Sequence, residues 1–264
     1  MRALWTAATG MRAQQLNIDT IANNLSNVNT TSYKSQRMEF KDLLYVTLKS
    51  NNRYDEEDSP TNLEVGHGVL PTATSRNFEN GSLIETEGEF DVAIDGSGFF
   101  AVRIPNGDIR YTRDGSFKLS AEAGGSRLVT SEGYLVLDEN DNQIFIRDGI
   151  TDIIIDELGY IRGLDENQET VNIARLKLVN FTNPNGLLST GSNLYSATAA
   201  SGAEIPIAAD QMESRIIQGY LEASNVKIVD EMVKMITAQR AYEINSKTIQ
   251  TSDDMMQIVN NLKR

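Results

Sequence analysis

Three short stretches of this 264-residue chain carry residues that could bind a cofactor, hold a metal or catalyse a reaction. The first, Gly96-Ser-Gly98-Phe-Phe-Ala101, fits a loose G-x-G-x-x-A dinucleotide pattern. That pattern binds phosphate only when a helix begins at the glycines. Here the residues that follow alternate between apolar and polar, as they do in a strand. We therefore predict a hairpin turn at these glycines and no bound cofactor.

An acidic stretch resembles the beginning of a calcium-binding loop. Asp138-Glu-Asn140-Asp-Asn142 has a suitable opening, but Gln143 occupies the sixth position, where glycine is required. Gly149 occupies the twelfth position, where a bidentate glutamate is required. We predict a solvent-exposed turn and no metal site.

Histidine and cysteine chemistry is almost absent from the sequence. The chain has no cysteine, and its one histidine, His67, lies between Gly66 and Gly68. A Ser–His–Asp triad would have to use this residue, yet a single histidine in a glycine-rich turn is more often structural. Carboxylates are abundant, but nothing in their spacing marks a catalytic pair. The sequence predicts no catalytic residues and a protein that is not an enzyme.

The charge of the chain is distributed unevenly. The net charge is −13, with +4 in residues 1–53, −17 in residues 54–215 and zero in residues 216–264. Because like charges keep surfaces apart, we expect the nearly neutral ends to pack together and the acidic middle to face water. An acidic chain also lacks the basic surface that nucleic-acid binding requires.

Two kinds of apolar segment are not expected. No apolar run approaches the ~20 residues that span a bilayer, so we predict no insertion into a membrane. Arg12, Gln14 and Gln15 interrupt what would be the apolar region of a secretory leader, so we expect a cytoplasmic protein or one exported without a cleaved signal peptide.

Both ends of the chain carry apolar side chains at seven-residue intervals. This period keeps a narrow apolar stripe on one side of a helix, and such a stripe requires a partner helix along its length. We predict that the two stripes form an assembly interface. Its residues are Leu4, Met11, Ile18, Ile21, Leu25, Val28, Leu221, Ile228, Met235, Tyr242, Ile249 and Met256.

These patterns predict an α+β protein in four segments. Residues 1–29 are the N-terminal helix of an inner, coiled-coil-like assembly domain, and residues 221–264 are its C-terminal helix. Residues 30–70 are a connecting segment with an extended loop, and residues 71–220 are a central, mainly β domain with a period of two. Within the connecting segment, residues 33–48 have mixed periodicity and are expected to be partly helical.

Local signals predict two boundaries. The C-terminal helix is expected to begin near Val226, with Ser224 or Asn225 as the N-cap. Asp114-Gly115 lies between two short alternating runs, which predicts a turn that joins two strands.

Several blocks of the sequence resemble one family. The N-terminal block is Ile21-Ala-Asn-Asn-Leu-Ser-Asn-Val-Asn-Thr-Thr-Ser-Tyr-Lys34, and the C-terminal block begins with Gly219-Tyr-Leu-Glu-Ala-Ser-Asn-Val226. Between them lie Asp91-Val-Ala-Ile-Asp-Gly-Ser-Gly-Phe-Phe100 and Tyr111-Thr-Arg-Asp-Gly-Ser-Phe117. These blocks, in this order, resemble the bacterial flagellar rod and hook proteins, and most closely the distal-rod members of that family.

The resemblance implies a structural role. A protein of this type is expected to assemble with copies of itself into a straight, stiff, helical drive shaft that carries motor torque to the hook. The implied partners are other rod proteins, the hook protein, the flagellar type III export apparatus and, in cells with an outer membrane, the ring bushing proteins. The implied location is the basal body, outside the cytoplasmic membrane, and no cofactor is implied.

The stretch from about Tyr45 to Val69 resembles the segment that distinguishes distal-rod subunits from hook subunits. The residues of this rod-type loop are Tyr54, Asp55, Glu56, Glu57 and Asp58. A hook subunit or another rod subunit remains an alternative. The alternative from a different class is a ligand-binding or enzymatic β domain with oligomerising helices.

Overall fold

A computed structural model describes residues 2–49, 63–165, 167–207 and 214–262. The chain divides into two compact units. The helical unit comprises Met1–Ser26, Gln36–Asn77 and Lys227–Arg264, and the β unit comprises Asn27–Ser35 and Phe78–Val226.

The helical unit contains two long helices and two β ribbons. Helix α1 spans Arg2–Ser26 and helix α2 spans Ile228–Leu262. The ribbons are antiparallel pairs, one of β1 with β4 and one of β2 with β3. Their bounds are β1 Gln36–Asp42, β2 Tyr45–Lys49, β3 Leu63–Gly66 and β4 Val69–Arg76.

The ends of the two helices follow from local sequence. The asparagine- and serine-rich stretch after Leu25 favours caps and turns, and α1 ends at Ser26. The first backbone hydrogen bond of α2 joins the Glu231 N–H to the Lys227 carbonyl, at 3.0 Å. Helix α2 therefore begins two residues later than predicted. The residue directly before α2 is Lys227 and not Ser224 or Asn225. The Asn225 side chain accepts a hydrogen bond from the Ser35 N–H, at 2.8 Å.

The β unit is built from short strands. They are β5 Leu83–Glu85, β6 Val92–Asp95, β7 Phe99–Arg103, β8 Ile109–Thr112, β9 Lys118–Glu122, β10 Gly125–Val129, β11 Leu135–Val136, β12 Phe145–Arg147, β13 Thr151–Ile155, β14 Tyr160–Leu164, β15 Thr170–Arg175, β16 Leu178–Asn180, β17 Leu188–Gly191, β18 Leu194–Ser196, β19 Ile205–Pro206, β20 Arg215–Gln218 and β21 Tyr220–Glu222. A short 3-10 helix, Pro184–Gly186, precedes β17.

The largest sheet has ten strands, with β12-β10-β11-β7-β8-β18-β17 along its main path. Strands β13, β14 and β15 form a separate three-stranded sheet. Two further pairs join distant parts of the sequence: β20 pairs with β6, and β21 pairs with β5. Strands at the C-terminal end of the β unit therefore pair with strands near its N-terminal end.

Strand β7 shows how a period of two builds the core. Successive side chains of a strand point to opposite faces. Phe100 and Val102 enter one apolar cluster, whereas Phe99 and Ala101 enter a second cluster on the other face. All four are buried, so both faces of this strand are apolar, and the predicted alternation of apolar and polar side chains is not found along Phe99–Val102.

The α+β architecture is confirmed, and two local predictions are wrong. Residues 33–48 contain strands β1 and β2 and no helix, because Met38 and Phe40 alternate with charged residues and pair with β4. Leu221 lies in strand β21, opposite Ile84, and is not part of α2. The predicted turn at Asp114-Gly115 does join two strands, β8 and β9, although these pair with other strands and not with each other.

Candidate functional site

The glycine-rich stretch that fits a dinucleotide pattern leads into a strand. Gly96 and Gly98 have positive φ angles of 123° and 135°, and β7 begins at Phe99. A helix N-terminus, which would hold phosphate, is therefore missing at this point. The turn also joins β6 to β7, two strands that pair with other partners, so it is not the hairpin that we predicted.

The acidic stretch forms a tight turn between β11 and β12. The Asp138 carboxylate accepts hydrogen bonds from the N–H groups of Asn140 and Asn142, at 2.9 and 2.7 Å. Asp141 forms an ion pair with Lys177, at 2.6 Å. Among the residues that the structure describes, no group of acidic or histidine side chains is arranged to hold a metal ion.

His67 lies on the surface of the helical unit. Its Nδ1 atom is 3.0 Å from the carbonyl oxygen of Leu44, so this contact is to backbone. The position agrees with a structural role in the turn between β3 and β4.

Two cations and one carboxylate meet inside the β unit. Lys34 Nζ lies 2.7 Å from Glu222 Oε1, and Arg113 Nε lies 3.0 Å from Glu222 Oε2. Each of these three side chains is at most 2% exposed. We call Lys34, Arg113 and Glu222 the buried ion triad.

The backbone around the triad supplies the other hydrogen bonds that buried charges require. Lys34 Nζ donates to the carbonyl of Glu79 at 2.7 Å, and Arg113 Nη2 donates to the carbonyl of Gly96 at 2.8 Å. The backbone N–H of Gly81 donates to Glu222 Oε1 at 2.8 Å. The triad therefore fixes the positions of two loops as well as its own side chains.

Burial changes the pKa of Lys34 in the triad. The pKa of the Lys34 amine is lowered from 10.5 to about 8, chiefly by desolvation and also by the charge of Arg113, while Glu222 opposes both effects. The amine thus loses its proton far more readily than an exposed lysine. Its hydrogen bonds are to the Glu79 carbonyl and to the Glu222 carboxylate. The triad holds the fold together and does not catalyse.

The triad unites three of the sequence blocks that carry the family resemblance. Lys34 ends the N-terminal block, Arg113 lies within Tyr111–Phe117, and Glu222 lies within Gly219–Val226. Sequence reasoning used these blocks without detecting that they meet. A signal was present: each block contains a charged residue among small and apolar ones, and the signs of the charges are complementary.

A second polar cluster lies elsewhere in the β unit. Glu204 accepts hydrogen bonds from the Tyr111 hydroxyl at 2.6 Å and from Lys177 Nζ at 3.0 Å. Burial and this carboxylate raise the pKa of Tyr111, and hydrogen bonds to Asp141 and Glu204 raise the pKa of Lys177 against the opposing effect of desolvation. All of these groups are paired, which is typical of a structural network.

In the helical unit, α1 and α2 run antiparallel in a register set by small and polar residues. Gly10 lies so close to Asn245 that a Cβ atom at Gly10 would be 2.8 Å from Asn245 Nδ2. Two heptads further along α1, Asn24 Nδ2 donates to Glu231 Oε2 at 3.0 Å. Glu231 precedes Asn245 by the same two heptads, so the two contacts define one register.

The seam between the helices buries mostly small side chains. The buried residues of the two helices are Ala7, Ala13, Ile21 and Asn24 on α1, and Glu231, Ala238 and Ser252 on α2. Small residues allow two helices to approach closely, but they bury little apolar surface. The stability of this pair is correspondingly limited.

The predicted interface residues are placed unevenly around this seam. Ile21 is buried, and eight others are half-buried: Leu4, Met11, Ile18, Leu25, Val28, Leu221, Met235 and Ile249. Ile228, Tyr242 and Met256 are exposed. Val28 and Leu221 belong to the β unit, and the rest lie on the two helices. The predicted rod-type loop, Tyr54, Asp55, Glu56, Glu57 and Asp58, lies outside the described residues.

A second set of apolar residues, which sequence reasoning missed, lies on the half of α2 that faces away from α1. Helical geometry places them about 100° or more around the helix axis from Glu231, Ala238, Asn245 and Ser252. We call this set the outward face of α2. Its members, all between 50% and 73% exposed, are Val229, Val233, Ile236, Ile244 and Ile258.

Three family descriptions match separate parts of the chain. "Flagella basal body rod protein" matches residues 4–34, "Flagellar hook protein FlgE/F/G D1 domain" matches residues 93–163, and "Flagellar basal body rod FlgEFG protein C-terminal" matches residues 217–262. The first and third descriptions cover much of the two terminal helices, and the second covers the heart of the β unit.

Relatives match over the whole length. The "Flagellar basal-body rod protein FlgG" of Borreliella burgdorferi is 50% identical, over 100% of this chain and 99% of its own length. FlgG of Caulobacter vibrioides is 41% identical, over 100% of both chains. The "Flagellar hook-basal body complex protein FlhP" of Bacillus subtilis is 34% identical, also over 100% of both.

A solved flagellar hook protein, FlgE2 of Helicobacter pylori, has a TM-score of 0.26 and 15% identity, over 62% of this chain and 47% of its own. That score is too low to support an argument about the fold. The full-length sequence identities carry the conclusion, and the chain belongs to the flagellar basal-body rod protein family.

Proposed function

We propose that this protein is the subunit of the distal flagellar rod and that it assembles with copies of itself into a rigid helical shaft. The chain itself is a structural rod protein of the flagellar basal body, as its relatives are. Family membership also confirms the prediction that it is not an enzyme.

One observation carries the proposal of self-assembly: the outward face of α2. Five large apolar side chains lie exposed on the outward face of this 35-residue helix. Three of them, Val229, Val233 and Ile236, lie on successive turns, and grouped exposed apolar residues of this kind mark interaction sites. Trp5, on α1, is 73% exposed and adds to the same unit a large aromatic residue of the kind that interfaces favour.

The interface that we propose combines this face with the predicted stripes. The half-buried stripe residues would complete their burial when helices of neighbouring copies pack against the pair. The charge distribution supports this arrangement, because the acidic residues are concentrated in the middle of the chain and the terminal segments are nearly neutral. Close packing of the ends therefore brings few like charges together.

The remaining partners follow from the family resemblance. We propose contacts with other rod proteins and with the hook protein, export through the flagellar type III apparatus without a cleaved leader, and passage through ring bushings where the cell has an outer membrane. Among the described helices, none is both long and apolar enough to cross a membrane.

We also propose that residues 46–68 stiffen the shaft by bridging neighbouring copies. Strands β2 and β3 flank the rod-type loop and pair with each other. A two-stranded ribbon is only marginally stable by itself in water. Leu44, Tyr45 and Leu63 are exposed on or beside this ribbon, which supports a partner there. Deletion of residues 46–68 should leave the β unit folded and yield curved or flexible rods.

Electron microscopy of concentrated protein tests the proposal. We expect ordered rods from the wild-type chain and none from Ile244→Lys. Ile244 is 66% exposed, so a lysine there should leave the monomer intact while placing a charge in the assembled interface. Gln239→Lys adds the same residue at an exposed polar position of α2 and should still give rods. Small oligomers of fixed size from the wild-type chain would contradict the proposal and favour the ligand-binding alternative.

A further inference from the structure

The buried ion triad contains more positive than negative charge. The pKa of Lys34 is about 8, so at pH 7 Lys34 and Arg113 each hold a positive charge, against one negative charge on Glu222. All three side chains are almost completely buried, so dissolved salt does little to screen the difference. An excess charge inside a protein is costly unless an opposite charge or hydrogen bonds compensate it. The triad is therefore short of one anion.

A small cavity opens beside Arg113. Its volume is about 110 Å³, and its lining includes Phe78, Asn80, Ser97, Arg113 and Asn180. Among the described residues that line it, Arg113 is the only charged one. One water takes up about 30 Å³ of the liquid, so the cavity has room for a few waters or for one small anion.

The guanidinium of Arg113 has hydrogen-bonding capacity left for a ligand. Its Nε donates to Glu222, and its Nη2 donates to Asn80 Oδ1 at 3.0 Å and to the Gly96 carbonyl at 2.8 Å. Within the described residues, Nη1 has no such partner, and this atom is not sealed from solvent either. An arginine carries five N–H donors, so the two on Nη1 can bind a ligand in the cavity.

We infer that this cavity binds a small monovalent anion, such as chloride, against Nη1 of Arg113. An anion there would neutralise the excess charge of the triad and form charge-assisted hydrogen bonds with the unused side of the guanidinium. We call the cavity the anion site. All of its described lining residues belong to the β unit, so the site does not depend on the proposed assembly into rods.

The other walls of the anion site suit an ion that has lost part of its hydration shell. Asn180 Nδ2 lies 3.5 Å from Ser97 Oγ, and both groups can donate a hydrogen bond to an anion. The rings of Phe78 and Phe99, with centroids 5.6 Å apart, provide apolar surface. A less polar surrounding strengthens the attraction between Arg113 and an anion.

The glycine-rich stretch beside the cavity gains a role that the dinucleotide pattern misidentified. Gly96 and Gly98 do not hold phosphate at a helix N-terminus, because strand β7 follows them. The Gly96 carbonyl instead holds the guanidinium of Arg113 in place. Both glycines line the cavity without a side chain to fill it.

Urea denaturation of the full chain, as dilute monomer at pH 7, tests the inference. A ligand that binds only the folded state lowers the equilibrium constant for unfolding. If the dissociation constant is about 10 mM, about 100 mM sodium chloride should lower this constant about tenfold relative to about 100 mM sodium gluconate. Gluconate is too large for the cavity, and the equal concentrations keep general screening the same.

Asn80→Asp is the matched variant at the site. It places a carboxylate next to Arg113 Nη2, so the protein supplies the missing negative charge and chloride should change the unfolding constant less than about twofold. Asn106→Asp makes the same chemical change at an exposed turn between β7 and β8 and should keep the full response. Asn180→Asp repeats the test on another wall of the cavity if Asn80→Asp folds poorly.

The outcomes decide between an anion, water and a general salt effect. A chloride response that Asn80→Asp or Asn180→Asp abolishes and that Asn106→Asp keeps supports the inference. Equal unfolding constants in chloride and gluconate would show that water fills the cavity. A response that both site variants retain, or that Asn106→Asp also loses, would mean that chloride acts elsewhere. Each of these last results overturns the inference, and none of them bears on rod formation.

Discussion

The two units of this protein bury opposite kinds of residue. The β unit buries large aromatic and branched side chains in two clusters, and it also buries charged side chains, among them the buried ion triad. The seam of the helical unit buries mainly alanine, serine and asparagine, and its large apolar residues remain on the surface. One unit keeps its apolar surface inside, and the other presents it to solvent.

This difference separates a unit that can fold alone from one that needs neighbours. Most helical stability in proteins comes from packing an apolar face, and a solitary helix is marginal in water. The α1–α2 pair gains little from its seam because methyl groups bury little area. The β unit has sufficient apolar burial to offset the cost of ordering its chain. We expect the assembled rod to supply what the helical unit lacks.

Amide hydrogen exchange on dilute monomer should show the largest difference between the units. Amides of β7 should exchange at least about 10³-fold more slowly, relative to their intrinsic rates, than amides of α1 and α2, because core strands open only with the whole unit. Exchange followed by mass spectrometry of peptides gives both values in one sample. Strong protection of α2 in a verified monomer would contradict our account of the helical unit.

Glu222→Gln should destabilise the β unit more than other single changes of similar size. It leaves Lys34 and Arg113 buried without their anion, and loss of one partner from a buried pair costs about 3–5 kcal/mol. Urea denaturation followed by near-ultraviolet circular dichroism measures the change. Glu85→Gln makes the same chemical change at an exposed position of the neighbouring strand β5 and should cost less than about 0.5 kcal/mol.

The triad can be tested further by removing one of its cations. Lys34→Met in the Glu222→Gln background should recover about 1–3 kcal/mol, because it takes away a charge that has lost its partner. The same substitution in the wild-type background should not stabilise to that extent, since Glu222 then loses a cation. Equal effects of Lys34→Met in both backgrounds would show that the two side chains are not coupled.

Alkaline pH should stabilise the β unit through Lys34. The folded pKa of Lys34 is about 8 and its unfolded pKa is near 10.5, so between these values the unfolded chain holds a proton that the folded chain has lost. Stability from this group therefore rises as pH increases above 8, and it is lost as pH falls through 8. The raised pKa of Tyr111 acts in the opposite direction only above pH 10, near its unfolded value.

Urea midpoints of the wild-type chain and of Lys34→Met, measured from pH 7 to pH 9.5, isolate this contribution. The difference between the two proteins should be nearly constant below about pH 8 and should rise above it in favour of the wild type. A constant difference would mean that burial does not lower the pKa of Lys34 in solution.

The β unit was predictable from the sequence in outline because its signal is local. Alternation along Phe99–Arg103 predicts a strand, and the strand is present. The buried ion triad was not predictable in the same way. Lys34, Arg113 and Glu222 are separated by more than seventy residues from one another, and no local pattern specifies which distant charge completes a buried site.

The helical unit presents the opposite case, since the helices were predictable and the side that pairs was not. A seven-residue apolar period was found on both helices, and the intramolecular contact instead centres on Gly10–Asn245 and Asn24–Glu231. Small and polar residues give no hydrophobic signal, so apolar periodicity does not indicate the contact between α1 and α2, and the predicted assembly interface remains a prediction. Helix α2 has apolar residues on more than one side, and a sequence cannot specify which side a second copy covers.

The smallest expected effect concerns whether the helical pair exists before assembly. In an isolated helix, Gly10→Ala should stabilise by about 1 kcal/mol, because alanine is the better helix former. In the pair, the new methyl group would lie 2.8 Å from Asn245 Nδ2, so the asparagine must move and the gain should largely disappear. Asn245→Ala removes this conflict, and in that background Gly10→Ala should recover the full gain.

Hydrogen exchange on monomer gives the free energy of opening of the α1 amides. This quantity is compared among the wild type, the two single variants and the double variant. A non-additivity of about 1 kcal/mol would place α1 against α2 already in the monomer. Additive effects would mean that α1 is stabilised as a solitary helix and that the seam forms only in the rod, which would widen the contrast between the two units.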